Sequence, residues 1–184
     1  GARIERETGA NGHGPTFKLN YDKPDSIGRL RGFHGNYGAF VRAYTYIVSL
    51  GAEGLKDVSE TAVLNANYLL AKLKKLGVDK YLPLAFDRVC MHEFVLSGAP
   101  MKRDLQIKTL DLAKRLLDHG FHPPTVYFPL LVDEALLIEP TETETRETLD
   151  AFAEAVAAIL TEAAEDPSIA QSAVVHSRSF RSFW

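Results

Sequence analysis

Residues 118–144, DHGFHPPTVYFPLLVDEALLIEPTETE, carry the densest structural punctuation in the chain, and their reading decides its fold. The run leading into them, 104–119, places Leu110, Ala113 and Leu117 at helical spacing, which predicts an amphipathic helix with those side chains inward. Gly120 follows where such a helix needs a left-handed residue to end. A Pro-bounded turn at His122 then launches two short strands, 125–128 and 135–139. Pro140 and Thr141 open a last helix that runs to about 164 and buries Leu149, Phe152, Val156, Ile159, Leu160 and Ala163. Thr141 and Glu144 have the T-x-x-E spacing of a capping box, and Glu142, Glu144 and Glu147 suit a positive helix N-terminus. Upstream, residues 88–97 alternate, with Val89, Met91, Glu93 and Val95 on one face and Cys90, His92, Phe94 and Leu96 on the other. The expected architecture is β-α-β-β-α: a small antiparallel sheet covered on one side by helices 104–119 and 142–164.

The same stretch resembles glycine dehydrogenase (decarboxylating), the P-protein family of the glycine cleavage system. The family pattern D-x-G-F-H-x-P-T is met by Asp118, Gly120, Phe121, His122, Pro124 and Thr125. Its E-P-T-E-x-E helix start is met by Glu139, Pro140, Thr141, Glu142 and Glu144. SIGRLRGFHGN (Ser26 to Asn36), LNANYL (Leu64 to Leu69) and MHEFV (Met91 to Val95) extend the likeness over most of 20–160. The resemblance implies an α/β chain of α+β character, the C-terminal small domain of a fold-type-I pyridoxal 5′-phosphate (PLP) enzyme with a helical tail of the large domain. The family's Schiff-base lysine lies in a Gly-rich segment with a Ser-Thr-Pro-His run, and nothing here matches it; 9–14, GANGHG, carries no lysine. Together with an opening Gly1, this leads us to expect a C-terminal fragment of the family, and of its separate second subunit in particular.

Size and charge agree with one domain plus a piece of another. The chain has 184 residues, 46% of them hydrophobic and 24% charged, enough to build a core. A net charge of −3 without a basic face gives no electrostatic case for nucleic acid. One cysteine, Cys90, rules out an internal disulfide and fits a reducing, cytoplasmic compartment. No apolar run approaches the roughly 20 residues that span a bilayer, so no membrane role is expected. Thr16 to Tyr21 alternates as a short strand, with Phe17, Leu19 and Tyr21 on one face. Tyr37, Phe40, Val41, Tyr44, Ile47 and Val48 make a helical stripe stopped by Gly51. A longer stripe (Val58, Ala62, Asn65, Leu69, Leu73, Leu76) predicts a helix over 55–76, closed by Gly77 and, by the resemblance, linking large and small domains. The expected division is a large-domain remnant with linking helix, 1–54, a small domain, 55–166, and an aperiodic, poorly ordered tail, 167–184.

The residues that could carry chemistry are few. Asp118, His119 and His122 could be offered as a metal site, but His119 in a last helical turn complements the dipole and His122 belongs to a turn. Cys90 as a nucleophile would need a base in reach, and His92, two residues along a strand, lies about 7 Å away. Asn65 in an apolar seam reads as a packing or register residue. The acidic residues Glu147, Asp150, Glu154 and Glu162 read as a solvated face. RGFHGN is more informative: it precedes a helix start, where free N–H groups favour an anion, with Arg29 and Arg31 close by and glycines at 32, 35 and 38. The resemblance implies active-site proximity for Arg31, His34 and Asn36 there, and for His122 and Thr125 at the turn facing the cofactor cleft. A loop packed beneath the large domain, and a structural turn, are the plain alternatives.

The function that the resemblance implies is PLP-dependent decarboxylation of glycine, with the aminomethyl group passed to the lipoyl group of H-protein. Expected partners are glycine, lipoyl H-protein and the remaining P-protein chain or first subunit, in a dimer or heterotetramer. This chain would hold no catalytic residue and be inactive alone. Two rivals remain: the small domain of another fold-type-I PLP decarboxylase or aminotransferase, and a non-catalytic α/β interaction module.

Overall fold

The computed structural model describes residues 3–7, 14–28 and 35–173, and the chain divides into two units, 1–48 and 49–184. In the first unit, β1 (Arg3–Glu7) pairs antiparallel with β2 (Thr16–Asn20), with Ile4 opposite Leu19 and Arg6 opposite Phe17. Asn20 donates to Glu5 at 2.8 Å, and Lys18 pairs with Glu7. Ile4, Phe17 and Leu19 are exposed. The helix α1 (Tyr37–Lys75) is interrupted at Gly51, whose φ of 65° and ψ of −172° no helical residue adopts, so the expected stop is present. Its apolar residues before the break, from Tyr37 to Val48, are exposed.

The second unit holds the core. After α1 and a turn of 3₁₀ helix (Val78–Lys80) come β3 (Phe94–Ser97), α2 (Ala99–Leu105), α3 (Thr109–Asp118), β4 (Thr125–Val126) and β5 (Ala135–Ile138). Helices α4 (Arg146–Glu165) and α5 (Pro167–Gln171) follow. The sheet order is β3-β5-β4, all antiparallel, with Phe94 opposite Ile138 and Leu96 opposite Leu136. Those four side chains are buried with Leu69 and Leu73 of α1, Leu112 and Leu116 of α3, and Val156 and Ile159 of α4. This is the expected three-stranded sheet with helices against it.

Several expectations are corrected. The strand begins at Phe94, because Asn67 of α1 occupies the backbone of Cys90, donating to its carbonyl at 2.8 Å and accepting its N–H at 3.3 Å. His92 is consequently exposed, 3.8 Å from Glu139. The helix expected over 104–119 is two helices, separated at Gln106 by a left-handed φ of 57°. The inward face of α3 is Thr109, Leu112, Ala113 and Leu116, and Leu110 is exposed. The last helix starts four residues later than expected: Thr145 caps it, accepting the N–H of Thr148 at 3.2 Å, while the Thr141 hydroxyl meets Thr143. Three members of the supposed solvated face are engaged: Asp150 accepts from the Tyr68 phenol at 2.7 Å, Lys72 pairs with both Asp150 and Glu154, and Glu162 pairs with Arg115. The tail forms a short helix, because Asp166 caps α5 and Gln171 donates to Gln106 O; 174–184 lie outside the described residues. No helix among the described residues is long and apolar enough to cross a membrane.

Candidate functional site

The two signature turns meet in space. Helix α3 ends in a Schellman motif, with Gly120 N–H on Leu117 O at 2.9 Å and Phe121 N–H on Leu116 O at 3.0 Å, made possible by Gly120 at φ 82°. That reversal turns Phe121 inward, edge-on to Phe152 of α4 with ring centroids 5.4 Å apart. On the other side β5 runs into Glu139 and the buried Pro140. Asn65 of α1 holds this turn by donating to Thr141 O at 2.9 Å and Glu144 O at 3.1 Å. Between the turns lies a cleft of about 290 Å³ with an apolar floor of Leu69, Ile138, Leu149 and Phe152. His122, Glu139, Thr141, Glu144 and Thr148 form its polar rim.

The expected site residues are distributed unevenly. His122 is exposed on this rim, whereas Thr125, exposed on β4, does not line the cleft. Asn36 accepts the N–H of Ala39 at 3.2 Å and so caps α1. Arg31 and His34 lie outside the described residues. Cys90 is buried, and burial pushes its thiol up, away from nucleophilic use. Among the described residues no three His, Cys, Asp or Glu side chains converge as a metal site. The rim can orient a ligand or a neighbouring surface.

A second polar cluster went unseen in the sequence. Glu134, nearly buried, accepts the Thr109 N–H at 3.0 Å and Lys102 Nζ at 2.7 Å. Burial opposes its ionisation, but the ammonium and the N–H outweigh that and hold its carboxyl below the usual range. Its carbonyl accepts the Thr109 hydroxyl and the Gly98 N–H, each at 2.8 Å. Lying between a loop and a strand in an apolar run, Glu134 gave no sequence signal.

The lysines test the fit to PLP. Every lysine in the sequence falls among the described residues, and none is buried. Lys72 is held by Asp150 at 3.0 Å and Glu154 at 3.5 Å, and Lys80 lies over the Tyr81 ring. Hydrogen bonds to Asp150, Tyr81 and Glu134 raise the pKa of Lys72, Lys80 and Lys102 respectively, opposite to the deprotonation that imine formation requires. These lysines do not fit the role of the neutral amine that condenses with the PLP aldehyde.

The family model described as glycine dehydrogenase, C-terminal domain, matches residues 58–178. A probable glycine dehydrogenase (decarboxylating) subunit 2 of Chlorobium phaeobacteroides is 56% identical over 170 residues, covering 92% of this chain and 34% of the relative. The corresponding protein of Caldanaerobacter subterraneus subsp. tengcongensis is 58% identical over 157 residues, covering 85% and 31%. The chain thus spans about a third of the length of these relatives. The crystal structure of glycine decarboxylase (P-protein) of the glycine cleavage system, in inhibitor-bound form, shares the fold. Its TM-score is 0.59 at 20% identity, over 86% of this chain and 35% of that one. With its two signature turns joined at one cleft and a family model over most of its length, this chain belongs to the glycine dehydrogenase C-terminal domain family.

Proposed function

We propose that this chain is the C-terminal part of a cytoplasmic glycine dehydrogenase (decarboxylating) subunit 2, whose parent decarboxylates glycine and passes the aminomethyl group to lipoyl H-protein. The observation that carries this reading is the 56–58% identity to proteins of that name along nearly the whole chain. Residues 1–54 are then the end of the large domain with its linking helix, and 55–166 the small domain that closes one side of the cofactor cleft. PLP, when bound in the parent, serves as the electron sink for decarboxylation. The lysines argue that its attachment lies in the remainder of the parent, so this chain contributes contacts: His122 on the cleft rim, with Arg31, His34, Asn36 and Thr125 as further candidates near the active site. The remaining chain and a first subunit complete the dimer or heterotetramer.

The test is chemical. The isolated chain is titrated with PLP, reduced with borohydride and mapped, and glycine-dependent CO₂ exchange is measured in parallel. Scattered, substoichiometric labels without exchange are expected. One stoichiometrically labelled lysine with exchange activity would overturn the reading.

A further inference from the structure

We propose that the loop Tyr127–Leu131 is a preorganised anchor that docks into an apolar pocket on the remaining two-thirds of the subunit. This rests on the functional reading above, since that reading supplies the occupant. The loop reads Tyr-Phe-Pro-Leu-Leu, and Leu130 and Leu131 are 91% and 77% exposed, with Phe128 also exposed. Consecutive exposed apolar side chains mark a contact surface.

The loop is also clamped at both ends. Tyr127, at φ 60°, donates its N–H to Ala135 O at 2.8 Å. Glu134, at φ 49°, is fixed through both its carboxylate and its carbonyl, and the preceding Asp133 O accepts the Ser97 hydroxyl at 3.0 Å. Left-handed backbone at two residues bearing a Cβ persists only where the surroundings over-determine it. A loop held this firmly while its tip stands in water is arranged to bind without further ordering.

The occupant follows from size. A five-residue tip is small against the roughly 1,000 Å² that a stable association of separate chains requires. Joined covalently to its target, the same tip suffices, because the linkage supplies the effective concentration. Relatives of which this chain covers only about a third provide that target.

The experiment grafts this chain onto the Chlorobium relative in place of its matching part and measures amide exchange over 127–132 in the graft and in the isolated chain. The proposal expects exchange at least tenfold slower in the graft. It also expects the protection to be lost in L130S/L131S and kept in L130M/L131M, with the thermal midpoint of the isolated chain unchanged by either pair. Equal rates in graft and isolated chain would overturn it, as would protection in the isolated chain that grows with concentration, the mark of a second copy. Glycine-dependent CO₂ exchange in the same graft separates the two readings. Activity with an unprotected loop refutes the anchor alone, and protection without activity refutes the functional assignment alone.

Discussion

Gly98→Ala is a sharp test of the packing around Glu134. A Cβ at residue 98 would lie 2.6 Å from the Thr109 hydroxyl, 3.0 Å from Glu134 O and 3.2 Å from Glu134 Cβ. The hydroxyl could rotate away, but Thr109 is fully buried, and its 2.8 Å bond to Glu134 O would be lost with no water to replace it. The Glu134 backbone cannot retreat without giving up the Gly98 N–H as well. An unsatisfied buried hydroxyl costs about 1–3 kcal/mol and overpacking about the same, against a gain of under about 1 kcal/mol from restricting the unfolded chain. The expected net loss is about 2–4 kcal/mol, read as a lowered urea midpoint by far-UV circular dichroism. Thr109→Ala removes the nearest clashing atom, so the double variant should lose at least about 1 kcal/mol less than the two single losses together. A loss below about 1 kcal/mol for Gly98→Ala, or strict additivity in the double variant, would refute the reasoning.

Other expectations can be checked by the same unfolding assay. Thr145→Ala should cost about 1 kcal/mol through loss of the α4 cap, whereas Thr141→Ala should cost less than about half of that. Asn67→Ala should cost about 1–3 kcal/mol, because it strands the N–H and C=O of Cys90 together. Glu134 has a folded pKa below its ordinary 4.5, so its contribution is complete above that value and lost as pH falls through the folded value. Stability should therefore drop as the pH falls below about 4.5, and Glu134→Gln, already less stable at pH 7, should show a shallower drop there.

Local signals were enough for the outline of the fold. Gly51 and Gly120 end helices because their positive φ is inaccessible at low cost to residues with a Cβ, a preference that acts at one position and shows in the sequence. The three strands and the long last helix follow from hydrophobic periodicity, and the two signature turns from their Pro, Gly and Thr spacing. What the tertiary structure decided depends on partners far along the chain. Thr141-x-x-Glu144 and Thr145-x-x-Thr148 both offer a hydroxyl with the spacing of a cap. The second prevails where Asn65, 76 residues from Thr141, ties down the carbonyls of Thr141 and Glu144 in a turn. Asn67 likewise ends a strand that alternation alone would carry back to residue 88, by taking both backbone groups of Cys90 from 23 residues away. The nearly buried Glu134 can be charged only because Thr109 and Lys102 converge on its carboxylate after folding. A buried polar group is stable only with its partners in place, and no window of sequence around it contains them.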